Sequence, residues 1–146
     1  MRTINEIIVH CSATPEGQNV TAADIRCWHT AGNGWSDIGY HFVVRLDGTV
    51  EPGRPLAQPG AHCRGHNARS VGICYVGGLA ADGRTPKDTR TPAQRAALLT
   101  LIRELKQQFP GAAIHGHRDF ATKACPSFDA VKEYKCHLSA VTLRSG

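Results

Sequence analysis

Short apolar runs broken by glycine- and proline-rich turns fill the first half of the chain, and one long helical period fills part of the second. Ile7-Ile8-Val9 is uninterrupted, ends at His10-Cys11 and is bounded by Thr14-Pro15-Glu16-Gly17. A run this short with no polar alternation predicts a strand buried on both faces, followed by a turn. Thr21 with Asp24 three residues on resembles a capping box, and Ile25 with Trp28 gives one apolar edge to a helix lasting to about Thr30, which Gly32-Asn33-Gly34 stops. Tyr40 to Arg45, Asp47-Gly48, then Val50-Glu51 predicts a hairpin, because Asp-Gly tolerates the positive φ of a tight connection.

From Pro52 to Ser70 the chain has no sustained period and reads as loop, whereas Val71 to Val76 is a further short strand closed by Gly77-Gly78. Ala80 to Asp88 is a polar surface loop. Thr91-Pro92 then opens the longest helix, with Thr as N-cap and Pro in the first turn. Leu98, Leu101, Ile102, Leu105 and Phe109 follow at offsets 0, 3, 4, 7 and 11, one continuous face, and Pro110-Gly111 ends it. Ala112 to His117 reads as the last strand, and Ser127 as the cap of a short closing helix through about Tyr134. The segment from Cys136 to Gly146 carries no clear period. Strands mixed with one long and two short helices predict an α/β single domain, a mixed central β-sheet flanked by helices.

Composition narrows the class without choosing a function. The 146 residues fit one domain, and 41% hydrophobic with 20% charged residues is ordinary globular usage, unlike a disordered chain. No internal repeat and no segment of membrane-spanning length is visible, so no stable membrane insertion is expected. The net charge of +5 favours an anionic partner such as a cell wall, a membrane surface or nucleic acid, and does not choose among them. A nucleic-acid role finds no basic helix or aromatic–basic interleaving to support it, and no nucleic acid is expected. No apolar stretch after Met1 marks the chain for export, and its six cysteines are expected to be reduced.

Position selects among the eight histidines. His10 leaves the carboxyl end of a buried strand, where sites of open α/β sheets lie. His115 and His117 occupy another strand end, and alternation places both on one face, with Cys125 downstream just before Pro126. Two imidazoles and a thiolate suit Zn²⁺ and leave a fourth position open for water, whereas a structural zinc site more often shows Cys-x-x-Cys pairs, and none occurs. A lone thiol with distant histidines also fits a Cys–His hydrolase with Cys125 as nucleophile. His41 alternates away from Tyr40 and is expected to be structural or to back a site residue from behind. In the glycine-rich loop, His62, Arg64, His66 and Asn67 are expected to wall a groove, with Arg64 or Arg69 available to a peptide carboxylate. Trp35 is available to stack on a sugar face.

The ordered set Val9-His10-Cys11-Ser12-Ala13-Thr14, Trp35 with Gly39-Tyr40-His41-Phe42, Asp47-Gly48-Thr49-Val50, Ser70 to Gly78, Thr91-Pro92-Ala93-Gln94 and Lys123 to Asp129 resembles the zinc-dependent N-acetylmuramoyl-L-alanine amidases. The match is nearest to the small phage lysozymes of that family, which are similar to the peptidoglycan recognition proteins of animals. The resemblance runs from about Ile7 to Asp129. It implies zinc ligands at His10, His117 and Cys125, the second being the histidine eight residues before the cysteine rather than His115. It implies catalytic roles for Tyr40 and Lys123: the lysine beside the oxyanion and the tyrosine helping a proton reach the leaving amine. The implied reaction is cleavage of the amide between N-acetylmuramic acid and L-alanine by a zinc-activated water. Because every position that hydrolytic members need is filled, the resemblance favours an enzyme over a binding-only recognition protein. It further implies a monomeric amidase domain over residues 1–135 with a C-terminal tail over 136–146. The protein would act as an endolysin that accumulates in the host cytoplasm and reaches the wall once the inner membrane is permeabilised.

Overall fold

The computed structural model describes residues 2–135; the C-terminal tail expected over 136–146, with Cys136, lies outside the described residues. β1 (Glu6–Cys11), β3 (Phe42–Val44), β4 (Val50–Pro52), β5 (Ser70–Tyr75) and β7 (Ala113–Gly116) form one mixed sheet in the order β4-β3-β5-β1-β7. β3, β5, β1 and β7 run parallel, and only β4 is antiparallel, through the predicted hairpin. Gly48 takes φ +87° in that hairpin, and a Cβ there would meet the Ala93 carbonyl at 2.9 Å, so both conformation and space require glycine.

The remaining pair was not expected. Thr14-Pro15, read as a turn, is a two-residue strand β2 (Thr14–Pro15) pairing in parallel with β6 (Gly78–Leu79). A strand of two residues has too little pattern to show a period, and its pairing is set by the larger sheet bringing the ends of β1 and β5 together.

The sheet is covered on both faces, as its apolar strands require. Ile7, Val9, Val71, Ile73, Tyr75 and Val44 point to the layer formed by α2 (Pro92–Gln108), whose Leu98, Leu101, Ile102 and Leu105 are the periodic face of the sequence. Thr91 caps this helix through a full capping box with Gln94. The Gln94 amide also donates to the carbonyls of Val44 and Val76, joining the helix start to the sheet ends. On the other face Val43 and Cys74 pack with Val20, Ile38 and Ile25 of α1 (Ala22–Cys27), which is capped by Thr21 and Asp24 as the sequence indicates and runs on as a π-helical turn over Trp28–Gly32.

The closing helix occupies residues 130–135. Its cap is Asp129, whose carboxylate accepts from the Lys132 backbone N–H at 3.1 Å, and not Ser127. Ser127 has φ +68° and spends its hydroxyl on the Gly78 carbonyl at 3.0 Å. Among the described residues no helix is long and apolar enough to cross a membrane.

Candidate metal centre

Three sequence-distant side chains meet at the carboxyl end of the parallel strands. One nitrogen each from His10 and His117 and the Cys125 sulfur all lie within 4.8 Å of one another. Each arrives by a different local device. His10 is the penultimate residue of β1, and strand alternation turns it to the α1 face, where it is 1% exposed. His117 begins a 3-10 turn, His117–Asp119, immediately after β7. The strand ends at Gly116, so the expected alternation of His115 and His117 onto one face breaks there. The turn sends His117 to the centre, 4.6 Å from His10 between ring centroids, while His115 packs on Phe120 at 4.8 Å and borders a different hollow with Glu6 and His66.

Cys125 sits in a loop pinned from two sides. The Arg118 backbone N–H donates to the Cys125 carbonyl at 2.7 Å, and the Tyr75 hydroxyl donates to the Pro126 carbonyl at 2.6 Å. Gly116 leaves room for this loop: a Cβ there would meet the Pro126 ring at 2.8 Å. The Cys11 backbone N–H points at Cys125 Sγ from 3.2 Å.

The electrostatics favour neutral imidazoles, the form in which these groups bind a metal. Burial, reinforced by His62, His117 and Lys123, drives the His10 imidazole well below its ordinary pKa, and burial with Lys123 lowers His117. The Cys11 and Cys125 thiols share a hydrogen bond, so the pair yields one proton readily and burial resists loss of the second. The hydrogen bond from Cys125 lowers the Cys11 thiol to about 7, while that bond and burial push the Cys125 thiol up, so without a metal the charge of the pair rests on Cys11. Cys11 is buried and also touches the centre.

A cleft of about 450 Å³ opens beside the cluster, lined among others by Trp35, His62, Arg64, His117, Phe120 and Lys123. Its lining contains two cationic side chains and no carboxylate. Trp35 is 38% exposed and edges the His29 ring, which in turn accepts from the Gly39 N–H at 2.9 Å. Tyr40 is half-buried with its ring 5.1 Å from that of His10; burial, then the surrounding Cys74, Cys125 and Cys11 thiols, push its phenol well above the ordinary value. Lys123 is exposed at the cleft wall.

His41 is indeed structural: its Nδ1 accepts from the Gly72 N–H at 3.0 Å, and its Nε2 meets the Gln58 carbonyl at 2.8 Å. Of the loop residues, Arg64 and Asn67 line the cleft, whereas His66 and Arg69 border the other hollow. His62 has a closer relation to the centre than sequence reasoning assigned it. It is 8% exposed and its Nδ1 lies 2.8 Å from His10 Nε2.

Fold and cluster define a small α/β domain carrying an open centre of two imidazoles and one cysteine sulfur at the strand ends, beside a cationic, aromatic-edged cleft. Residues 1–128 match the N-acetylmuramoyl-L-alanine amidase family, and the chain belongs to that family. It is 51% identical over 125 residues to the endolysin of Klebsiella phage KP32, covering 86% of this chain and 82% of that protein. Among solved structures it is similar to the N-acetylmuramoyl-L-alanine amidase LysC from Clostridium intestinale URNW, with a TM-score of 0.80, 32% identity, and coverage of 94% of this chain and 87% of that one. It is also similar to a Drosophila PGRP-LB mutant in complex with tracheal cytotoxin, with a TM-score of 0.76, 27% identity, and coverage of 91% and 80%.

Proposed function

We propose that this chain cleaves the N-acetylmuramoyl–L-alanine amide of peptidoglycan with a zinc ion held by His10, His117 and Cys125, in the manner of a phage endolysin. Amidase activity follows from the family; the ligand set, the metal and the residue roles are the proposal. The observation that carries it is the mutual approach, within 4.8 Å, of two imidazole nitrogens and a thiol sulfur brought from three separate segments to the edge of a cleft. This donor set fits zinc in number and softness, and three protein ligands leave a position open, the arrangement of a catalytic site. Zinc bound there supplies Lewis acidity and a water acidified to a pKa of about 7.

The chain's own residues supply the rest. Lys123 stands at the cleft wall beside His117, with no carboxylate in the lining to neutralise it, and places an ammonium where the scissile carbonyl oxygen becomes negative. Tyr40 has its phenol held protonated by its surroundings, so it enters the reaction as a hydrogen-bond donor that helps the proton of the attacking water reach the leaving amine and is itself protonated at the end. Trp35 and Phe120 offer apolar faces to a sugar ring or peptide, and Arg64 a guanidinium to a stem carboxylate.

The protein works as a monomer, with residues 1–135 forming the amidase domain. Made in the host cytoplasm, it acts on the wall after the inner membrane is permeabilised; the endolysins among its relatives support this route.

Metal analysis of the purified protein with mass spectrometry of digested cell walls tests the reading. One zinc per chain and free stem peptides beginning with L-alanine, on intact glycan strands, are expected. Cut glycan strands, or activity that survives Cys125→Ser, would overturn it.

A further inference from the structure

The buried imidazole of His62 lies beside the centre and has no part in the chemistry above. His62 comes from the aperiodic loop between β4 and β5, and both of its ring nitrogens are engaged. Nδ1 lies 2.8 Å from His10 Nε2, and Nε2 lies 3.1 Å from the hydroxyl of Ser70, which is fully buried. The ring is clamped. A Cβ on Gly72 below it would come within 2.6 Å of His62 Cγ, and one on Gly60 within 2.7 Å of Cδ2. The backbone N–H groups of His62 and Cys63 both donate to Asn67 Oδ1, at 2.9 and 3.0 Å, which fixes the loop that presents the ring.

This contact occupies one of the two donor nitrogens of His10. Its other nitrogen, Nδ1, faces Cys125 Sγ at 3.9 Å and is the one left for a metal. A neutral imidazole has one N–H and one lone pair, so a lone pair on Nδ1 requires the proton on Nε2, and Nε2–H requires an acceptor. His62 Nδ1 is that acceptor, its own proton then sits on Nε2, and Ser70 Oγ accepts it.

We propose that His62, backed by Ser70, is a positioning residue that holds His10 in the tautomer whose Nδ1 lone pair is presented to the metal. This rests on the zinc reading of the centre. The physical reason is general: a ligating histidine oriented through its second nitrogen binds as a pre-organised, more basic donor, and loss of that partner weakens binding by about 10- to 100-fold. In the opposite arrangement His62 donates from Nδ1, His10 carries its proton on Nδ1, and the chain of bonds opposes binding.

The test uses the purified full chain with two readouts, one of them free of metal. Long-range proton–nitrogen NMR on metal-stripped protein reports the tautomers directly: His10 and His62 are both expected to carry the proton on Nε2. Zinc affinity, measured by competition with a chromophoric chelator, is expected to fall about 10- to 100-fold in His62→Ala and to stay within a few-fold of the parent in His62→Asn, whose side-chain oxygen can accept the same proton. Ser70→Ala, which removes only the distal hydroxyl, guards against a fold lost with His62 and is expected to mix the His10 tautomers. A proton on His10 Nδ1 in the parent, or unchanged zinc affinity in both His62→Ala and Ser70→Ala, would overturn the inference. If the parent binds no zinc at all, it is the metal reading that fails, and the tautomers still report on the His62 contact.

Discussion

Tyr75 at the end of the central strand donates a 2.6 Å hydrogen bond to the carbonyl of Pro126, the residue after Cys125. The fully buried strand end thereby sets the height of the loop that brings the thiol to the centre. Tyr75→Phe keeps the ring and deletes the hydroxyl, leaving a buried carbonyl without its partner, which costs about 1–3 kcal/mol. Urea unfolding is expected to show that loss, together with weaker zinc binding because Cys125 is less firmly held. Full zinc affinity in a destabilised Tyr75→Phe protein would mean that the loop is positioned by the Arg118 N–H bond alone.

Lys123 and Tyr40 are expected to separate from the ligands in their mutant behaviour. Lys123→Ala removes a donor to the developing negative charge and should lower kcat by about 10²- to 10³-fold with zinc content intact. Tyr40→Phe removes proton transfer and should cost about 10²- to 10⁴-fold, again with zinc retained. Turnover on defined muropeptides, measured beside zinc stoichiometry, checks both. Loss of zinc from either variant would assign the residue to holding the centre instead of to the reaction.

The elements with long or repeated patterns were legible in the sequence. The α2 face from Leu98 to Leu105, its Thr91 cap, the Asp47-Gly48 hairpin and the apolar β1 run all fold as their local chemistry dictates. His10 was legible for the same reason, as the first polar side chain after a buried strand. His62 was not, because its pairing with His10 depends on the register that sets Gly72 beside Ile8 and opens a gap in β5 for an imidazole. No period in Pro52 to Ser70 carries that information. Strand alternation likewise did not separate His117 from His115, which the family resemblance alone distinguished: the change from strand to 3-10 turn at Gly116 goes with the packing of Pro126 against that glycine. The closing helix was found but its cap was misplaced, since Ser127 is claimed by the Gly78 carbonyl, a tertiary contact.

Arg90 is expected to give the fold an acid-sensitive clasp. Its side chain is 1% exposed, lies 3.4 Å from the Phe128 ring centroid, and bonds Asp88 and Glu133, tying the start of α2 to the closing helix. Burial alone would raise the Asp88 carboxyl, but the Arg90 bonds outweigh it and leave the group below its usual range; the Arg90 hydrogen bonds lower Glu133. Depressed folded values mean that the stabilisation is complete above the unfolded values of about 3.9 and 4.3 and is lost as pH falls through the lower folded values. Stability measured by urea is therefore expected to drop below about pH 4 in the parent, and to drop less in Arg90→Leu. At neutral pH that substitution should cost about 3 kcal/mol, the lower end for breaking a buried pair, because both carboxylates keep partial access to water. An unchanged acid slope in Arg90→Leu would place the acid sensitivity elsewhere.

Gly72 makes a specific demand near the centre, because its missing side chain is the space that His62 fills. An alanine Cβ would lie 2.6 Å from His62 Cγ and Cδ2, and the ring cannot retreat, since Gly60 closes the other side. Gly72→Ala is therefore expected to destabilise the fold by about 1–3 kcal/mol, the usual cost of overpacking, and to weaken zinc binding by displacing the partner of His10. Gly32→Ala, where a Cβ meets nothing within 4 Å, should leave zinc affinity unchanged and serves as the control. A double-mutant cycle locates the clash. With the imidazole already removed, Gly72→Ala in a His62→Ala background should cost far less than in the parent, a coupling of the size expected for residues in contact. Equal costs in the two backgrounds would mean that the strand itself, and not His62, rejects a side chain at position 72.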